Sequence, residues 1–532
     1  MFFDGIKDIF LGQGYAVAGV NVRGTGCSGG SFDYFERAEW LDGRDAIEFL
    51  ATQPWSNGDL AMVGKSYPGI TQLYVAAEKP SHLRAIVPGA YFGDLYRDIP
   101  YPGGILNSVF AAGWSFGSQP VNSFDQWSEG VQSVDQTCIR SQVDHAANPV
   151  TNPFVRAAEH QWDDELYRER SGNYVADQID VPVLAEIAWQ DEEVGSRGLD
   201  WLTHLQPSVP WRAVVMNGDH GEYYGDYVKP EIFRFLSYYL KKSVPAGDAC
   251  SAPTFDEALA CYKNEPKLLV NFENSTNRVP SWQQRFTSWP VTENVLRMHL
   301  HDDGTLDTTT HRSGETPTPY VYQFPAGSNS YGNTSELPGD LPFVDYWQQQ
   351  PPRQTVAKFT TPPFAKDTLF VGTASADLWI SSTAPDTDLE VMITEIRPDG
   401  SEQYVQKGWL RASHRILDDT LTTPLRPYQT HQLGDFAPLL PGQPTKARVE
   451  IFPFGQVFRA GTRLRLTIEA PTTLPELWGF AANPVPAVNQ IYTDTAHPSS
   501  LALPLVAQSS QTFPPERACG TLRNQPCRPS LP

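Results

Sequence analysis

The stretch Leu60-Ala61-Met62-Val63-Gly64-Lys65-Ser66-Tyr67-Pro68-Gly69 decides the fold. An apolar run ends at a glycine. A serine follows two residues later, and a glycine returns three residues after the serine. This is the sequence form of a nucleophile elbow: a buried strand, a sharp turn, then a helix. Such a turn holds its serine in a strained backbone conformation, so the neighbours must be small, and Gly64 and Gly69 are. Ile70 to Glu78 continues with helical spacing, the context the motif demands. Two other readings compete. Gly64-Lys65-Ser66 resembles the end of a phosphate-binding loop, but that loop needs a glycine where Asp59 stands, and Gly58 is one place off. The plain alternative is a strand-turn-helix corner with an incidental serine, and the rest of the chain decides against it.

The chain has 532 residues, 40% hydrophobic and 19% charged, which is enough for two or three domains with substantial cores. No run of 18 apolar residues occurs, so no membrane span is expected. A net charge of -21 argues against nucleic acid, which needs clustered Lys and Arg. The six cysteines include two close pairs, Cys250/Cys261 and Cys519/Cys527, in irregular segments. Neither pair has CxxC spacing, so zinc is not expected and no metal or cofactor is called for. Disulfides and an exported, extracytoplasmic protein are the expectation, with a cytoplasmic one as the alternative. Against export, Met1 to Asp8 carries acids where a signal peptide would carry bases. Asn274 and Asn333 head formal glycosylation sequons.

Tyr15 to Val22 reads as a buried strand. Gly24, Gly26 and Gly29 then satisfy GxGxxG, but Ser31 to Phe35 separates them from the next helix, so they read as a glycine-rich turn rather than a cofactor loop. Glu36 to Leu50 is an amphipathic helix, and Leu83 to Gly89 a second buried strand. Strands alternate with helices, which predicts a parallel sheet. Residues 91–176 break the alternation and read as a helical cap, with one helical piece from Phe154 to Glu169. Val181 to Trp189 is a strand ending at Asp191, and Trp211 to Asn217 a strand ending at His220.

Ser66, Asp191 and His220 thus each stand just past the end of a buried strand, the edge where open α/β sheets gather their active residues. Their order, Ser then Asp then His, is that of α/β-hydrolases. Serine is a poor nucleophile until a base takes its proton. Histidine can do so near neutral pH, and a carboxylate orients it. Glu192 and Glu193 are rivals of Asp191 for that role. Beyond Cys261, period-two alternation recurs, as in Leu389, Val391 and Ile393 or Leu464, Leu466 and Ile468, with turns at Pro398-Asp399-Gly400 and Ala460-Gly461-Thr462. Many short strands predict a β-sandwich of jelly-roll type. The expected organisation is an α/β-hydrolase domain over 1–90 and 177–247, a cap over 91–176 and a jelly roll over 262–532.

Several segments resemble the cocaine esterase / Xaa-Pro dipeptidyl-peptidase (CocE/NonD) family. They are Asn21 to Gly30, Gln53-Pro54-Trp55-Ser56-Asn57-Gly58, Gly64 to Gly69, Asp94-Leu95-Tyr96-Arg97, Ser381 to Asp388 and Gly408-Trp409-Leu410-Arg411. The resemblance implies a serine hydrolase of small esters or amides, with Ser66 as nucleophile, Asp191 as orienting acid, His220 as base and the Tyr67 N–H in the oxyanion hole. In the family's strand order Tyr15 to Val22 takes fourth place. The strands before it, and the tyrosine hydroxyl that serves the family as second oxyanion donor, are therefore expected to lie outside this chain, as from a late start or a truncation.

For substrate binding, Trp114 and Phe116 would face an aromatic acyl group, whereas Asp94, Asp98, Asp163 or Asp164 would anchor the free amine of a dipeptide. A small-molecule ester or peptide is the expected partner, and a homo-oligomer is compatible with the sequence. The rival from another class is a non-catalytic peptide- or sugar-binding protein on a truncated hydrolase scaffold.

Overall fold

The computed structural model describes residues 3–123, 131, 134–147, 152–223, 225–292, 294–323, 327–328, 347, 350–472, 478–507 and 512–530. The Asn333 sequon lies outside them. After a first helix, α1 (Phe3–Leu11), the chain builds α2 (Arg37–Ala51), β1 (Leu60–Lys65), α3 (Tyr67–Ala77) and β2 (Leu83–Gly89). Later come β3 (Val183–Ala188), β4 (Trp211–Met216), β5 (Leu268–Phe272) and β6 (Trp282–Phe286). These strands form one sheet in the order β1 to β6. β1 to β5 run parallel and β6 antiparallel. The central strands are apolar because helices or domains cover both faces; every residue of β3 is buried. β5 and β6 lie beyond residue 262, yet they extend this first sheet.

Tyr15 to Val22 is not a strand. None of its residues is buried, and Val20 is 61% exposed. A strand exists only in a ladder, and this segment pairs with no strand; Tyr15, Val17 and Val22 merely lean on the core. The glycine-rich turn that follows is tied down instead, by a Cys27–Cys138 disulfide and by His145 on the Ser28 carbonyl.

Between β2 and β3 lie helices Leu95–Asp98, Ser108–Ser123, Gln136–Ala147, Pro153–Glu159 and Glu165–Arg168. The single helix expected from Phe154 to Glu169 is broken at His160, and Asp164 caps the second piece by accepting the Leu166 N–H at 3.0 Å.

The remaining strands are β7 (Val295–Leu300), β8 (Leu306–Asp307), β9 (Thr318–Tyr322), β10 (Val356–Thr360), β11 (Thr368–Ser382), β12 (Asp388–Ile396), β13 (Ser401–Arg411), β14 (Thr445–Phe458), β15 (Arg463–Glu469), β16 (Ala487–Tyr492), β17 (Ser500–Pro504) and β18 (Cys527–Pro529). One sheet runs β10-β15-β12-β13-β18. The other runs β8-β7-β17-β11-β16-β9, with β14 also paired to β11. Leu378, Leu389, Val391, Ile393, Leu464, Leu466 and Ile468 fill the sandwich between them. The two further disulfides are Cys250–Cys261 and Cys519–Cys527. Asn274 is fully buried, its amide donating to the Asn217 carbonyl and the Tyr227 hydroxyl, so that sequon is closed to a glycan in the folded chain.

A buried network of ion pairs and hydrogen bonds links the cap, the loop after β3 and the sandwich. Arg97 Nη1 meets Asp94 at 2.9 Å and Asp163 at 2.8 Å, while its Nη2 reaches the Gln429 carbonyl at 2.8 Å. Arg197, after β3, pairs with Asp98 and with Glu450 of β14.

Candidate active site

Ser66 follows β1 and occupies the N-cap position of α3, with φ 60° and ψ -134°. That left-handed backbone is costly for a residue with a side chain and persists only where its surroundings hold it. Here the Ser66 N–H donates to the Gly89 carbonyl of β2 at 2.9 Å. A Cβ at Gly64 would lie 2.6 Å from that of Pro68, and one at Gly69 would run into the Gly89 carbonyl oxygen. Both glycines are therefore needed for the chain to turn this tightly. Tyr67 is the first residue of α3, so its N–H has no partner within the helix, and Pro68 offers none. A positive helix end beside the serine suits a developing oxyanion.

His220 Nδ1 lies 3.0 Å from both carboxylate oxygens of Asp191. Asp191 also accepts the N–H groups of Glu193 and Val194 and the Tyr223 hydroxyl. Burial would raise the Asp191 carboxyl, but the facing imidazole and these donors outweigh it and hold it below the ordinary range. Burial likewise pulls His220 down, but Asp191 and Glu193 outweigh it and lift its pKa to about 9. The Glu193 carboxylate stands 3.3 Å from Nε2. Glu192 turns away to accept the His220 N–H at 3.0 Å, and Lys65 donates to the His220 carbonyl at 3.2 Å. Of the three consecutive acids, it is Asp191 that meets Nδ1.

The substrate-binding candidates fare differently. Trp114 lies against the elbow, its ring stacked 6.3 Å from that of Tyr67 and 5.0 Å from that of Tyr34. Phe116 is 61% exposed and packs against Phe154, because the helix turns it away from Trp114. Asp94 is no free amine anchor: it caps its helix, pairs with Arg97 and accepts the Tyr428 hydroxyl. Asp98 and Asp163 are consumed by Arg197 and Arg97, and Asp164 by its cap and His160.

Sequence reasoning missed Glu39. It sits on α2, on what reads as the polar side, yet it is buried. Its Oε2 accepts the Tyr67 hydroxyl at 2.7 Å and the Phe35 N–H at 3.1 Å. Burial pushes this carboxyl up to about 7. Phe35 stacks on Tyr67 at 4.4 Å, and Tyr34 and Phe35 both have positive φ. The clue in the sequence was Phe32, Tyr34 and Phe35 crowded into four residues before the helix.

The model of the X-Pro dipeptidyl-peptidase (S15 family) matches residues 4–222, and that of the X-Pro dipeptidyl-peptidase C-terminal non-catalytic domain matches residues 261–502. The chain is 26% identical over 552 aligned positions to a putative serine esterase of Mycobacterium bovis, covering 93% of this chain and 84% of that one. It is 25% identical over 539 positions to the cocaine esterase of a Rhodococcus species, covering 93% and 89%. Among solved structures, a CocE/NonD family hydrolase from Staphylococcus aureus has the same fold, with a TM-score of 0.71 at 21% identity, over 91% of this chain and 79% of that one.

Proposed function

The chain belongs to the CocE/NonD family of serine hydrolases, and we propose that Ser66, His220 and Asp191 are its catalytic triad and esters its substrates. The observation that carries this is Ser66 in its left-handed turn at the head of α3, in a fold that brings an Asp191–His220 pair at 3.0 Å to the same sheet edge. Ser66 Oγ attacks the acyl carbon while His220 Nε2 takes its proton. The Tyr67 N–H holds the oxyanion. The alcohol leaves with the proton from His220, and water, activated by the same imidazole, releases the acid and restores the serine. Asp191 keeps Nδ1 protonated and steadies the imidazolium.

Esters are favoured on two grounds. Curated relatives aligned over nine-tenths of the chain, putative serine esterases of two mycobacteria and a cocaine esterase, are named for esters. The wall beside the elbow is aromatic, made of Tyr34, Tyr67 and Trp114, and suits a flat acyl group. One observation favours a second reading: the partly open Glu193 carboxylate near His220 could meet the amine of an amino acid ester or dipeptide. Three disulfides support an extracytoplasmic location.

The test is labelling with a fluorophosphonate probe, with Ser66→Ala as control, followed by comparison of nitrophenyl esters with Gly-Pro-nitroanilide. Labelling lost in the mutant and faster ester turnover are expected. A labelled Ser66→Ala protein would sink the triad, and an at least tenfold preference for the anilide would sink the esterase reading.

A further inference from the structure

The segment after residue 502 lies beyond both family matches, yet it reaches the active site. Cys519–Cys527 closes a short loop, and β18 then pairs with β13 through Ser401 to Gln403. Within the loop, Arg523 is 2% exposed and Asn524 5% exposed. The Arg523 guanidinium meets Asp219 at 3.2 Å and also pairs with Glu222. These two acids flank His220 in sequence. The Arg523 backbone is held as well: its N–H donates to the Asn274 carbonyl at 2.9 Å, and its carbonyl accepts the Asn217 amide at 3.2 Å. Asn524 takes a left-handed φ of 52° and donates from Nδ2 to the Gln190 carbonyl at 2.6 Å. Gln190 immediately precedes Asp191. One loop thus grips the residue before the acid and the residues on both sides of the base.

We propose that the Cys519–Cys527 loop is a positioning element of the active site, with Asn524 setting the Asp191 turn and Arg523 setting the His220 turn. The inference rests on the triad reading above. Neither residue is assigned a contact with substrate. They act by fixing where two loops from different strand ends stand relative to each other. Such a fit is demanding, since a shift of about 1 Å in a catalytic group can cost about a hundredfold in rate. Arg523 has a second effect. It lies among the charges around His220, which include Asp191, Glu192 and Glu193 from the acid loop, Asp219 and Glu222 from the base loop, Lys65 on the His220 carbonyl, the Tyr223 hydroxyl on Asp191, and the Arg278 guanidinium beside Gly221. Without Arg523, Asp219 and Glu222 lose the guanidinium they pair with, Arg278 alone remains beside Gly221, and the negative field on the imidazole grows.

The test uses the full chain, with wild type and Ser66→Ala first compared for ester turnover and probe labelling. Asn524→Ala removes the side chain that bonds the Gln190 carbonyl and leaves the disulfide in place. It is expected to lower kcat at least tenfold while KM moves less than twofold. Arg523→Met is expected to lower kcat too and to move the acid limb of the kcat/KM profile to higher pH, because added negative charge favours the imidazolium. Cys519→Ser with Cys527→Ser should reproduce the kcat loss. A merely structural role would lower the melting temperature but leave the pH limb and the folded protein's kcat in place. Wild-type kcat in Asn524→Ala, or an unmoved acid limb in Arg523→Met, would overturn the proposal while the triad stands. A wild-type chain that is folded but unreactive would overturn both.

Discussion

His220 Nε2 lies 3.3 Å from the Glu193 carboxylate. Nε2 is the nitrogen that a triad histidine offers to its serine, so an anion here stabilises the protonated, non-basic form. With the His220 pKa lifted to about 9, wild-type activity should climb from neutral pH into that range. Glu193→Gln removes a negative neighbour, which lowers the pKa of the imidazolium and moves the acid limb of kcat/KM to lower pH. At pH 7 the variant should be faster than wild type on neutral esters. An unchanged profile would show that Glu193 leaves His220 before catalysis.

Asp191→Asn should leave the fold intact, since the amide oxygen can still accept the Glu193 and Val194 N–H groups. It would no longer favour the tautomer with Nδ1 protonated. A fall in kcat of about 10⁴ is expected, with little change in KM. A loss smaller than tenfold, by initial rates at saturating ester, would point to another acid.

Glu39 holds the Tyr67 phenol and the Phe35 loop from one carboxylate oxygen. Removing it leaves buried donors unpaired, which costs about 1–3 kcal/mol. Glu39→Ala should therefore melt lower and turn over more slowly, while Glu39→Gln keeps an acceptor and recovers most of the activity. The sign of the pH effect follows from a folded pKa raised to about 7. The neutral carboxyl supports the fold below its ordinary pKa, and that support is lost as pH rises through about 7. Melting temperatures should show Glu39→Gln gaining on wild type between pH 5 and pH 8; parallel curves would refute this.

Gly69→Ala drives a methyl into the Gly89 carbonyl oxygen, so α3 must move off β2. Overpacking of this kind costs about 1–3 kcal/mol. Because Ser66 is bonded to the same carbonyl, reactivity should fall further than stability does. Probe labelling beside a thermal melt separates the two.

Cys27 and Cys138 are 111 residues apart, and their bridge ties the glycine-rich turn to the cap. The chain-entropy model assigns a loop of about this length about 4–5 kcal/mol. Cys27→Ser with Cys138→Ser should lower the denaturation midpoint by up to that amount and expose the cap to proteolysis first. An unchanged midpoint would mean that the cap is held by its packing and ion pairs alone.

Much of the candidate site was legible because its parts are local. Ser66, Asp191 and His220 each follow a strand that an apolar run announces, and strand ends of a parallel sheet converge. What was not legible depends on distant partners. Asp94 reads as a free acid until Arg97 and Tyr428 close on it, the latter 334 residues away. Tyr15 to Val22 has strand periodicity, but periodicity says nothing about whether a ladder partner exists. Glu39 looked solvated because helix phase alone cannot reveal that a tyrosine two elements later needs an acceptor. The local cysteine pairs could be read as disulfide partners, whereas Cys27 and Cys138 gave no spacing to read.

The contacts of Arg523 and Asn524 also set an order in time. Synthesis runs from the first residue to the last, and these contacts bind loops finished some three hundred residues earlier. The loops carrying Asp191 and His220 therefore gain these contacts only once nearly the whole chain has been made. A chain ending before Cys519 could fold its elbow and still lack the contacts at Asp219 and Gln190.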